Sequence, residues 1–436
     1  MERLMRFESS SLSAIENNIQ RNKQVILFLC FLASCSLILF NTPIGPVAKY
    51  VAIPALLIIL FNYPIFDYLL FPLSFMDNAI GTVVFGRITF LWFYLLLLTL
   101  KHIRKKNLYL KVSSFIILAM ASMYFLWGYS HFGLLKSIRY MLIIFCSMII
   151  SRRHKKNPDL LSLLLFVIYS SAILEAITLS FGLSGMTIEA TERVTGIGWT
   201  DPNYTSSICL YGLCALINRS FDTTKQKLFQ FVGCLLIVFG VFRSGSRSGL
   251  LAIGIVLIIR IMMINNMKAR YSYVITLAIV VVVTLIFSRS GLVPLSKFNN
   301  IVERWKIVIN ALQSRNFDVA TTHRLPLLIS YWDFFINQNP IRVLFGGVIV
   351  GSESLLSQFG RVSHNVYMDY LLAFGFVGTI IMAYGFLKRT LGYFTLYRQT
   401  ENRVYLALVE IKLSMLIIGV TLSMLTVEQW WFLAIV

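Results

Sequence analysis

The sequence predicts an all-α polytopic membrane protein of about 12–13 transmembrane helices, and three observations carry that reading. Of 436 residues, 57% are hydrophobic and only 13% charged, well outside the range of ordinary soluble domains. Apolar stretches recur from Gln24 onward, long enough to cross a hydrocarbon core of about 30 Å at ~1.5 Å per residue. The positive charge behind the formal net charge of +20 gathers in short clusters between those stretches.

The spans read as 24–40, 47–62, 84–100, 112–128, 133–150, 159–182, 203–218, 227–242, 248–264, 272–289, 364–387 and 404–424. The first follows Arg3, Arg6, Arg21 and Lys23 in the manner of a signal peptide, but it is longer than a signal core. It also lacks a small-x-small cleavage pattern, so it reads as a retained helix. The stretch 63–83, with two prolines and two aspartates, is expected either to cross as a poor helix or to lie in the interface. The tail 427–436 is too short for a full span.

The basic clusters 101–111, 152–156, 219–227, 265–270 and 387–403 are expected on the cytoplasmic side, beside anionic lipid. Four segments then face outward: the 129–132 turn, the 183–202 loop, the arginine junction at 243–247, and a long segment from about 290 to 363. This divides the chain into membrane helices 1–289, an outer loop 290–363, and membrane helices 364–436. Within the loop, Ile301, Trp305, Val308, Ile309 and Leu312 trace one apolar helix face. A second helix starts near Arg324, with Pro326 in its first turn and Asn339-Pro340 ending it. Such helices serve as a lid or partner surface, or else rest on the outer leaflet.

Placement of the charge also excludes function classes. Nucleic acid is not an expected partner, because the basic residues mark topology and form no single stripe. The six cysteines all lie in apolar runs, which argues for packing rather than disulfides. No P-loop, dinucleotide fingerprint or Cys/His metal spacing occurs, so neither a cofactor nor a metal is expected.

Four constellations invite chemistry. "RSGSRSG" (243–249) places Arg243 and Arg247 at a Gly/Ser turn that opens a helix near Ser248. Helix amino termini favour anions, and guanidinium groups grip phosphate bidentately; the competing reading is a turn whose arginines reach lipid headgroups. "SHNVYMDYLLAFGFVG" (363–378) sets His364 and Asn365 at the outer start of a helix, followed by Gly375 and Gly378. A base near neutral pH and a polar helix cap are both open for that histidine. "ERVTGIGWTDPNYTSS" (192–207) carries Arg193, with Asp201 or Asn203 as a helix cap. Arg324, flanked at a distance by Asp318 and Asp333, reads as a binding contact or as a solvated charge. Glu175 and Glu410 fall inside apolar runs, and Arg139 is one partner considered for Glu175.

In this order, "RVTGIGWTDPNYTSS", "SGSRSGLLAIGIVLI" and the long loop closed by "HNVYMDYLLAFGFVG" resemble the O-antigen ligase/polymerase superfamily (Wzy and WaaL types). The resemblance covers roughly 190–385; the first 180 residues match in hydropathy alone. It implies a GT-C-like glycosyltransferase of the bacterial inner membrane, with its active site facing the periplasm and the 290–363 segment as a periplasmic loop. Its substrates would be undecaprenyl-diphosphate-linked glycans, with membrane lipids and a chain-length regulator protein as further partners, and no metal or nucleotide. By resemblance, Arg247 and His364 become the catalytic candidates. Arg243, Arg324, Arg193, Asn365 and Asn203 become substrate-binding candidates, with capping an alternative role for Asn203. The expected reaction is inverting transfer that joins repeat units, as a polymerase. The alternatives are ligation of the glycan to lipid A–core, and a transporter or flippase for lipid-linked glycan.

Overall fold

The computed structural model describes residues 2–80, 82–84, 88–104, 112–155, 157–181, 187–188, 193–194, 202–263, 275, 306–307, 310–311, 313–314, 324–423, 425 and 427–436. It is an all-α bundle. The helices are α1 (Glu2–Leu39), α2 (Gly45–Leu60, with a π turn at Ala48–Ala52), α3 (Leu70–Ile80), α4 (Phe90–Arg104) and α5 (Val112–Trp127). Next come α6 (Tyr129–Phe132), α7 (Leu134–His154), α8 (Pro158–Phe181), α9 (Pro202–Ile217), α10 (Thr224–Ser244) and α11 (Arg247–Met263). The chain closes with α12 (Arg324–Ile336), α13 (Pro340–Phe345), α14 (Glu353–Phe359), α15 (Val366–Thr400), α16 (Arg403–Gly419) and α17 (Glu428–Ile435). Two small antiparallel hairpins interrupt them: β1 (Thr82–Val84) with β2 (Ile88–Thr89), and β3 (Thr187–Ile188) with β4 (Arg193–Val194).

Among the described residues, five helices are both long and apolar enough to cross a bilayer: Ile19–Leu39, Leu134–His154, Pro158–Ser180, Thr224–Ser244 and Val366–Thr400. The other expected spans are shorter helices or lie outside the described residues. The windows at 84–100, 203–218, 248–264 and 404–424 correspond to helices of 15, 16, 17 and 17 residues, and the window at 272–289 lies outside the described residues. So does the face Ile301, Trp305, Val308, Ile309 and Leu312.

The stretch 63–83 corrects one expectation. It forms a short 3-10 turn at Pro64–Tyr68 and then α3, and its residues from Ile65 to Met76 are buried inside the bundle rather than spread along an interface. Buried charge explains the position. Lys101 of α4 donates to Asp67 at 2.6 Å and to the Tyr63 carbonyl at 2.9 Å, with Lys101 and Asp67 both almost fully buried. The Tyr68 hydroxyl lies 2.5 Å from His154 Nδ1. Arg139 of α7 does not seek Glu175: it binds Glu428 of α17 at 2.7 Å and Asp77 of α3 at 3.4 Å.

At the centre, α8, α9 and α10 pack together. Gly212 of α9 faces Ala172 of α8 so closely that a Cβ would lie 2.0 Å from the alanine methyl. Small residues allow such backbone approach where apolar burial alone gives no drive inside lipid. All six cysteines are free thiols.

The segments expected on one side of the membrane meet each other. At the basic end, Arg21 donates to Ser162 at 3.4 Å, and Lys155 sits 6.0 Å from the Tyr393 ring centre. At the opposite end, the Val350 N–H donates to the Tyr124 hydroxyl at 3.2 Å, and the Tyr331 hydroxyl donates to the Arg361 carbonyl at 2.8 Å.

Helix α15 is broken at Gly375, where φ is 64° and ψ is −172°. The break exposes the carbonyls of Leu372 and Ala373, which accept from the N–H groups of Val348 and Gly347, each at 3.0 Å. A side chain at Gly375 would meet the Leu344 carbonyl at 2.4 Å, and the backbone conformation itself is open essentially to glycine alone. Gly375→Ala should therefore destabilise the protein by more than the ~1–3 kcal/mol typical of backbone strain alone. Thermal unfolding of the detergent-solubilised protein checks this, and an unchanged midpoint would remove the break from its structural role.

Candidate functional site

The polar end of the bundle is assembled from four helix starts. The first is the junction of α10 and α11. Gly245 ends α10 in the left-handed conformation (φ 62°), its N–H returning to the Phe242 carbonyl at 2.9 Å. Glycine adopts this conformation without a Cβ penalty. Ser246 then caps α11: its hydroxyl oxygen accepts from the Gly249 N–H at 3.1 Å. Arg243 occupies the last turn of α10 and Arg247 the first position of α11, both half-buried. The Arg243 Nε is buried and has no hydrogen-bond partner among the described residues.

Asn203 supplies the second start. It was weighed as a helix cap, yet α9 already begins at Pro202, so Asn203 lies within the first turn. Its amide oxygen accepts from the buried Ser246 hydroxyl at 2.7 Å, which ties α9 to the arginine junction. Asp201 lies outside the described residues. Next to Asn203, the Tyr204 hydroxyl donates to the Ser423 carbonyl at 2.5 Å.

The third start is that of α15. Asn365 caps it, its Oδ1 accepting from the N–H groups of Tyr367 and Met368 at 3.0 Å each, while its Nδ2 donates to the Val420 carbonyl at 3.1 Å. His364 precedes it at φ 51°, a left-handed conformation uncommon for a residue with a side chain. Its neighbour Ser363 donates to Asp369 at 2.6 Å, and the Ser423 hydroxyl donates to the other oxygen of the same carboxylate in a short bond. His364 is thus held between two anchored residues in a conformation that the chain would not choose alone.

The fourth start is α12. Arg324 is its first residue and donates from Nη1 to the Thr421 carbonyl at 2.9 Å, so it is not a freely solvated charge. About two turns later, Tyr331 reaches the backbone at Arg361. Burial pushes its phenol up to about 12, with the Asp369 charge adding to the rise, so the hydroxyl remains a donor at neutral pH.

Arg247 and Asn203 are therefore linked through Ser246, whereas Arg324, Asn365 and the His364 strand are linked through residues 420–423. Tyr204 joins the two groups. Arg193 lies on β4, which packs against α10, the helix that carries Arg243. Asp333 is exposed, and Asp318 lies outside the described residues.

Sequence reasoning overlooked Asp369 and the whole 420–423 segment. Asp369 carried a signal: it follows Asn365 by one helical turn, in an otherwise apolar run. Nothing in "VTLS" announces that its carbonyls would collect three side chains. Among the described residues, no group of three or more His, Cys, Asp or Glu could hold a metal.

Residues 232–383, which run from within α10 to within α15, match a protein-family model described as O-antigen ligase. No curated protein matches the chain.

Asp369 is the joint between two loops, and each hydrogen bond to a charged acceptor contributes about 1.5–3 kcal/mol. Asp369→Ala should lower the unfolding midpoint and increase proteolysis near residues 360–365, while Asp369→Asn, which keeps one acceptor, should recover part of the loss. An alanine variant as stable and as protease-resistant as the parent would show that the carboxylate does not hold the His364 strand.

Proposed function

We propose that this chain is a polymerase of the O-antigen ligase/polymerase superfamily, joining undecaprenyl-diphosphate-linked oligosaccharide repeat units on the periplasmic face of the bacterial inner membrane. Members of this family are glycosyltransferase-like enzymes of polysaccharide assembly, and the family implies lipid-linked glycan substrates. The observation that best supports the reading is the hydrogen-bonded path that ties the arginine junction to the His364 strand, through Asn203–Ser246 and Tyr204–Ser423–Asp369.

In this reading Arg243 and Arg247 hold the donor diphosphate at the start of α11, where the helix end adds its own partial positive charge. Arg324 and Arg193 bind on the acceptor or diphosphate side, and Asn203 and Asn365 fix the walls that carry the arginines and the histidine. His364 accepts the proton of the acceptor hydroxyl. The hydroxyl oxygen then forms the new bond to the anomeric carbon as the carbon–oxygen bond to the diphosphate breaks. The electron pair leaves with the phosphate oxygen, where the arginines stabilise it. Attack opposite the leaving group inverts the anomeric centre. The carrier diphosphate is already an activated leaving group, so the step draws on no nucleotide. A chain-length regulator protein is a further partner in this reading.

The family description favours a second reading, in which the same chemistry transfers the finished glycan to lipid A–core. Transport of lipid-linked glycan is less well supported, because the ionisable groups within the bundle are committed to partners: Arg260 to Glu410, Lys101 to Asp67, and Arg139 to Glu428.

Arg247→Ala should leave membrane insertion intact and reduce glycan transfer by roughly 10- to 150-fold, the equivalent of one charged hydrogen bond of about 1.5–3 kcal/mol. Normal polymer length and amount in that variant would count against the phosphate role. Deleting the gene separates the two reactions: lipid A–core capped with a single repeat marks a lost polymerase, whereas untransferred carrier-linked polymer marks a lost ligase.

A further inference from the structure

The opposite, basic end of the bundle holds two adjoining cavities, of about 510 and 440 Å³, that share Arg21, Ser162, Arg219 and Ser220 in their walls. The smaller also takes in Arg403 and Asn402 from the α15–α16 turn and has Asn218 in its wall. Arg21, Arg219 and Arg403 therefore come together from α1, the end of α9 and the start of α16. Among the described residues, none of the three has a carboxylate within 4.0 Å. Asp222 and Glu401 also line the space, which leaves an excess of one positive charge.

The Arg219 side of the arrangement is anchored by its surroundings. The Arg219 guanidinium lies 5.4–5.8 Å from the ring centres of Phe166, Tyr169 and Phe221, which hold it by cation–π attraction and leave its N–H edge to donate. Gln230 ties down the chain that carries it, donating to the carbonyls of Leu216, Ile217 and Arg219. Asn218 is immobilised by the buried pair beneath it, accepting from Arg260 at 2.8 Å and donating to Glu410 at 2.5 Å. Val25, Leu163 and Leu165 give the walls an apolar side. An anchored guanidinium with two further arginines beside an apolar wall at a membrane boundary matches a phosphate carried on an amphiphile, and basic pockets between membrane helices take such headgroups.

We propose that these joined cavities bind the phosphate group of an anionic ligand, between Arg21, Arg219 and Arg403. The site is separate from the arginine junction at the other end of the bundle, and it does not depend on the reaction assigned there. An anionic phospholipid headgroup and a free phosphate compound share the required chemistry. Occupation would clamp α1, the α9–α10 loop and the α15–α16 turn together.

The test measures thermal unfolding of the full-length protein in detergent micelles, with phosphatidylglycerol, phosphatidylcholine or inorganic phosphate added, for the parent, Arg219→Gln and Arg403→Gln. Arg403 is exposed and makes no ion pair among the described residues, so its variant is expected to fold even if loss of the Arg219 stacking weakens the other. The site predicts that phosphatidylglycerol raises the unfolding midpoint of the parent, with apparent affinity weakened roughly tenfold in each variant. Stabilisation by phosphatidylglycerol alone identifies a lipid source, and equal stabilisation by inorganic phosphate identifies a soluble one. Stabilisation that is identical in parent and variants, equally strong with phosphatidylcholine, or absent with both anions overturns the proposal.

Discussion

The backbone that leaves α16 sets the constraint on which the polar end of the bundle depends. Carbonyls beyond a helix end have no ladder partner, and inside an apolar bundle such groups are costly unless other donors reach them. Here the donors come from elsewhere in the chain. Tyr367 reaches the Leu416 carbonyl, Asn365 reaches Val420, Arg324 reaches Thr421, and Tyr204 reaches Ser423. The need to satisfy the carbonyls of residues 420–423 thereby gathers the starts of α9, α12 and α15 around a single stretch of backbone, and Asp369 closes the arrangement through Ser423.

Elsewhere the bundle tolerates charge by pairing it across helices. Glu410, Arg260 and Asn218 join α16, α11 and the end of α9. The pair Lys101–Asp67 and the triad Asp77–Arg139–Glu428 do the same for the first half of the chain. Replacing such groups with apolar ones of the same volume is often neutral, whereas leaving one partner alone costs about 3–5 kcal/mol. Their contribution is therefore to register, since each pair is satisfied in only one relative placement of its helices.

Much of this was legible in the sequence, because hydropathy and charge clustering report directly on a membrane solvent. The helical class, the second loop helix at Arg324–Ile336 and the family resemblance around 190–385 could all be read there. Helix ends were harder, since hydropathy windows do not see caps. The 404–424 window ran straight through the 420–423 segment, and capping, one of the two roles open to Asn203, is not what it does: its amide accepts from Ser246. Partners of buried charges were the least legible. Arg139 finds Glu428, which lies 289 residues away, and no local pattern encodes a pairing at that separation.

The broken helix α15 carries a mechanical meaning. Two loop amides dock onto the carbonyls that the break uncovers, and glycines on both sides, Gly346 and Gly375, let the backbones nearly touch. Bending there would sacrifice both bonds at once, so the bend acts as a welded elbow and not as a swivel. A push on the α13–α14 segment is therefore passed into α15, which couples that segment and the helix as one lever.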